Sequence, residues 1–181
     1  PFIAVDLLQG QKSDVGLILG PLLGVAIPAF LITPWISRRL GWEKAVMIAS
    51  IALGVIYLTT AGLGVAIIGT PLTTAMVLFA LGGPMVAVLL GLEGEAITAC
   101  ADEKGGDAVS IYFGVYNFLV KAMNGVAIFA AGILADQVRG GLGAQGVRYM
   151  AMVAGGSLFV GVVAYFFLRV KTPPVPLEAT G

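Results

Sequence analysis

From Ala45 to Leu92 the chain runs for 48 residues without one charged side chain. A chain folding in water needs charge to cover its surface. Here charged residues make up 11% and hydrophobic ones 59%, against about 25% and 45–50% in soluble domains. The composition therefore implies a membrane protein. In hydrocarbon every backbone N–H and C=O must be bonded within the chain, which leaves helices or a closed barrel. The apolar–polar alternation of barrel strands is absent, so the expected class is an all-α membrane protein.

A membrane-crossing helix needs about 20 mostly apolar residues. The run of 48 residues is thus two helices, and Gly69, Thr70 and Pro71 supply a turn and a helix start between them. Three further charge-poor stretches lie at Val15–Ser37, Ala108–Ala135 and Tyr149–Leu168. The expected spans are roughly 15–37, 45–65, 71–92, 111–135 and 149–169. Residues 1–12 read as the end of a truncated sixth span and an outer loop, residues 13–171 as the bundle, and residues 172–181 as a tail. No basic stretch precedes an apolar one as in a signal peptide, and the expectation is a piece of a longer chain.

Sidedness follows from basic residues in the connections. Arg38, Arg39, Lys44, Lys104, Arg169 and Lys171 fall on one side, and Lys12, Arg139 and Arg148 on the other. The richer side is expected to be cytoplasmic. That makes the protein a multi-pass inner-membrane protein with a cytoplasmic C-terminus. Gly16, Gly20 and Gly24 form one stripe on the first span, where a second helix could approach closely. Pro21, Pro28, Pro34 and the Gly82-Gly83-Pro84 run suggest helices that bend, or else plain helix packing. The acidic loop after the third span, with Glu93, Glu95, Asp102, Glu103 and Asp107, reads as solvated. Gly105-Gly106 would stop its helix, and Asp107 or Ser110 would cap the next.

Between Asp107 and Asp136 the one charge is Lys121. It sits about 15 Å deep in its span, near the bilayer midplane. A stem of about 6 Å cannot carry the ammonium to either interface. A charge there costs about 2.5–3.5 kcal/mol on insertion scales, so something must compensate. Asn117 and Asn124 stand four residues before and three after, on the same helix face. Tyr112 and Tyr116 lie one turn apart on an adjoining face. The stripe suits a polar cavity, with an interhelical clamp as the structural alternative. No other span offers a carboxylate.

Net charge is zero and the sequence has no basic patch, so a nucleic-acid partner is not expected. There is no histidine, and the lone Cys100 cannot form an internal disulfide. Neither a metal motif nor a nucleophile–base pair is present. GGLGAQG at 140–146 follows a span rather than a strand and reads as a turn. An enzyme is therefore not expected.

Two stretches carry a family resemblance. SDVGLILGPLLGVAIPAFLITPWISRRLGWEKAV (13–46) looks like the eighth span and basic loop of a major facilitator superfamily transporter. ADEKGGDAVSIYFGVYNFLVKAMNG (101–125) is similar to the loop and eleventh span of the glycoside–pentoside–hexuronide:cation symporters, departing from them in having GGDAVS where a basic run is usual. The chain thus resembles the C-terminal half of such a transporter: about five spans plus the end of a sixth. The resemblance implies two six-helix bundles around a central cavity reached alternately from each side. It implies that Lys121 matches the family's membrane-embedded lysine, near sugar and cation sites, and that Asn117 faces the sugar. The family's cation-binding aspartates belong to the N-terminal half, which this chain lacks.

The leading expectation is cation-coupled symport of a sugar or glycoside with Na⁺ or H⁺ and no other cofactor. Lys121, Asn117, Asn124 and Tyr116 would be the solute-binding residues. The alternatives are a transporter of a lysolipid or other amphiphile, whose cavity would be lateral and lined by Leu and Phe, and a non-transporting membrane scaffold subunit.

Overall fold

A computed structural model describes residues 3–63, 69–102 and 109–168. All regular structure among the described residues is helical. Four helical stretches are long and apolar enough to cross a membrane: Asp14–Leu40, Trp42–Thr60, Pro71–Ala99 and Val109–Phe167. The last holds 59 residues, about 88 Å of helix, nearly three times a hydrocarbon core of about 30 Å. Its backbone breaks at Gly141, where φ is +126°, within a wide π-helical turn at Val138–Leu142. Two helical arms result, Val109–Gln137 and Gly143–Leu168, each long enough to cross a hydrocarbon core.

The helices are α1 (Asp14–Leu40), α2 (Trp42–Thr60), α3 (Pro71–Gly91), α4 (Glu93–Asp102), α5 (Val109–Gln137) and α6 (Gly143–Leu168). The expected ends shift by up to six residues. α1 keeps Arg38 and Arg39 in its last turn, and α6 starts before Arg148. A charge marks where hydrocarbon ends, whereas a helix continues into water until its backbone is stopped. α2 stops early, at Thr60, and residues 64–68 lie outside the described residues. So do Gly105-Gly106, Asp107 and the tail from 169 onward. Ser110 lies inside α5 rather than before it, so it does not cap that helix.

The turn into α3 forms as the residues require. Gly69 adopts φ +65°, which an L side chain resists. Thr70 is extended, and its Oγ1 accepts from the Thr73 N–H at 3.2 Å. Pro71 then occupies the first helical position, where its missing N–H costs nothing.

Packing separates the two ends of the bundle. At one end Ile18, Leu63, Ala75, Val138 and Val147 enclose Ala4 and Leu7 from a helical turn at Ile3–Leu7. At the other, Ala45, Ala49, Val88 and Leu92 pack with Ile36 and Trp42. Every crossing therefore alternates in direction, as the basic residues in the loops suggest.

The most extensive contact joins α1 to α3. A Cβ placed on Gly83 would lie 2.5 Å from the Leu22 carbonyl and 3.0 Å from the Ala26 nitrogen. Gly82 and Gly83 are buried in unbroken helix. The Gly-Gly-Pro run is thus a packing site, not a break lining a cavity. The stripe of Gly16, Gly20 and Gly24 meets nothing within 4 Å. It faces out of the bundle, because α1 turns its Ile18–Leu22–Ala26 side to its neighbours. α2 lies against both α3 and α6. Its crossing with α6 centres on Gly54 and Gly155, where an added Cβ would strike the Phe159 ring or the Gly54 carbonyl at 2.9 Å.

Candidate functional site

α5 is the least enclosed crossing: none of its residues is buried. Its 29 residues make about 43 Å of helix. Lys121 stands two residues from its centre and is exposed. Asn117 and Asn124 are exposed as well, about 40° and 60° round the axis from Lys121. The three side chains thus lie exposed on one side of α5, near its middle. The Asn117 amide donates to the Phe113 carbonyl of the preceding turn at 2.9 Å. That bond fixes the rotamer and leaves the amide oxygen free to accept.

The four expected site residues do not share one pocket. Tyr116 and Asn117 border a recess of about 250 Å³ with Leu90, Glu93, Gly94, Ile97 and Phe113. There the Tyr116 side chain faces the Glu93 carboxylate across the recess. Asn124 instead edges a large cavity of about 980 Å³ walled by α1, α2, α3, α5 and α6. The α5 wall of that cavity runs through Met123, Ala127, Ala130 and Leu134. Lys121 lies about 150° round the axis from that row, almost opposite. It points away from its own bundle.

Two acidic residues that the sequence reads as solvated have a packing role. Glu93 and Glu95 are not simply solvated: they open α4, where carboxylates suit the positive end of the helix dipole. Glu95 Oε1 accepts from the buried Ser37 hydroxyl at 2.6 Å, while Glu93 shares a recess with Tyr116. α4 thus ties α1 to α5 at the end of the bundle that carries Arg38, Arg39 and Lys44. The only signal in the sequence was position, since both acids directly follow the last residues of a span. Among the described residues no group of three or more potential metal ligands occurs.

The apolar helices, and the depth at which α5 carries its polar stripe, describe a protein built to cross a membrane several times. No protein-family model, curated protein or solved structure matches this chain.

Proposed function

We propose that this chain is the C-terminal half of a secondary active transporter of the major facilitator type, which moves a sugar or glycoside together with Na⁺ or H⁺. The observation that carries the reading is Lys121: an exposed ammonium at the centre of α5, turned away from its own bundle. Lipid cannot solvate it, and charges inside a membrane almost always face a bundle interior or a watery cavity. A second helical bundle facing α5 would enclose that cavity. Lys121 would then act on charge there, its pairing set by whether cation and solute are bound, and Asn117 and Asn124 would offer hydrogen bonds to hydroxyls. Carboxylates of the other half are its natural partners. Tyr116, which faces the recess beside Glu93, would pack α5 against α4 rather than stack on the solute. The protein would lie in the inner membrane, with its more basic side and C-terminus in the cytoplasm.

The test is cation-dependent uptake of a panel of labelled glycosides by the full gene product, comparing wild type with Lys121→Ala and Lys121→Arg. The expected result is uptake by wild type and a loss of at least tenfold in both variants at equal membrane levels. Wild-type rates in both variants would reduce Lys121 to a helix clamp and overturn the reading.

A further inference from the structure

We infer that Arg38, Arg39 and Lys44, with the outward side of α1, form a binding site for an anionic phospholipid. The rotation of α1 sets which side is outward. Ser37 is buried and donates to Glu95 of α4. Trp35 and Arg39 each stand about 160° round the axis from Ser37, so both look away from the bundle. The Arg39 guanidinium lies over the Trp35 ring, 5.0 Å from its centroid. That contact orders a long side chain and leaves its N–H donors for another partner. A planar fork of donors matches a phosphate group.

Arg38 and Lys44 are exposed as well. Gly41 alone separates α1 from α2, at φ +80° and with its N–H on the Ser37 carbonyl at 2.8 Å. Three cations are thus gathered within a short turn, where Glu43 is the only acid between residues 38 and 44. An apolar path leads from this turn into the hydrocarbon. Ile27, Leu31 and Trp35 precede Arg39 at steps of four residues and are 67%, 83% and 57% exposed. From Ile27 to Arg39 the helix rises about 18 Å, against about 15 Å for half a hydrocarbon core. The row therefore matches an acyl chain in one leaflet, with the indole of Trp35 near the headgroups, where tryptophan is favoured. A free phosphate would use the cations and leave the row idle, whereas a phospholipid uses both. Charge then selects among phospholipids. A zwitterionic headgroup brings its own cation to the turn, and an anionic one does not. Each basic side chain near an anionic surface favours binding about fivefold.

The inference rests on the membrane reading and not on what, if anything, is carried. In the test, p-benzoylphenylalanine replaces the exposed Leu31 in the full gene product. The protein is reconstituted in vesicles of phosphatidylcholine with a minor share of phosphatidylglycerol, irradiated, and its lipid adducts are counted by mass. Phosphatidylglycerol should be enriched at least fivefold among the adducts over its share of the vesicle. The triple variant Arg38→Gln, Arg39→Gln, Lys44→Gln should bring the adducts down to the vesicle composition. All three side chains are exposed, so its melting temperature should stay near that of the starting protein. The double variant Lys12→Gln, Arg148→Gln, which alters exposed cations at the other end of the bundle, should keep the enrichment. No enrichment in the starting protein would overturn the site, as would enrichment that survives the triple variant. Equal loss in the double variant would make net charge the cause and overturn it too. Uptake enters none of these results, so the site and the transport reading stand or fall separately.

Discussion

Gly82 and Gly83 are neighbours in α3, both buried, and a single methyl should act on them in opposite ways. At Gly83 the added Cβ would lie 2.5 Å from the Leu22 carbonyl and 3.0 Å from the Ala26 nitrogen. A carbon next to a carbonyl oxygen settles at about 3.3–3.6 Å. α1 and α3 must therefore part by close to 1 Å. The obstacle is backbone, so no rotamer change relieves it. A gap of that size forfeits a quarter to a half of each dispersion well along the seam. Overpacking usually costs about 1–3 kcal/mol, and Gly83→Ala belongs at the top of that range. At Gly82 the nearest atom would be Leu53 Cδ1 at 3.7 Å, an ordinary contact. Gly82→Ala should be neutral, or gain up to about 1 kcal/mol from helix propensity. For a chain of this size about 3 kcal/mol corresponds to a fall of about 6–12 °C in melting temperature. Thermal unfolding of the purified protein in detergent, followed by circular dichroism, reads the difference directly. If both variants melt together, or Gly82→Ala is the worse of the two, the α1–α3 seam described above is wrong.

The Ser37–Glu95 bond is open to a double-mutant cycle. A hydrogen bond to a charged group contributes about 1.5–3 kcal/mol, so Ser37→Ala and Glu95→Gln should each destabilise, and the double variant should cost clearly less than their sum. Simple additivity would mean that α4 does not hold α1. Thr70→Ala should lower stability by about 1 kcal/mol through loss of the cap on the Thr73 N–H, with Thr70→Ser close to wild type. Equal losses in both variants would count against the cap.

What was legible in the sequence is what local chemistry decides. The long apolar helices follow from charge-free length, because hydrocarbon leaves a backbone no choice but helix. The turn at Gly69, Thr70 and Pro71 was legible for the same reason: each residue there answers a demand of its own backbone. Alternation of the crossings followed from Arg38, Arg39 and Lys44 standing opposite Lys12, Arg139 and Arg148. The central place of Lys121 in its helix needed only a count along the chain.

Which faces meet was decided by the tertiary structure. Gly16, Gly20 and Gly24 have the spacing of a packing stripe and touch nothing, whereas Gly83 and Gly155, with no such pattern, sit where helices cross. Spacing says which residues share a face, but the rotation of a helix about its axis depends on all its neighbours at once. The same rotation parts Asn124, at the edge of the large cavity, from Lys121, which looks outward. It also turns Tyr116 towards Glu93, 23 positions away in the sequence, across one recess. In a chain apolar on nearly every side, no strong amphipathic pattern marks the inner face of a helix, and only packing supplies one.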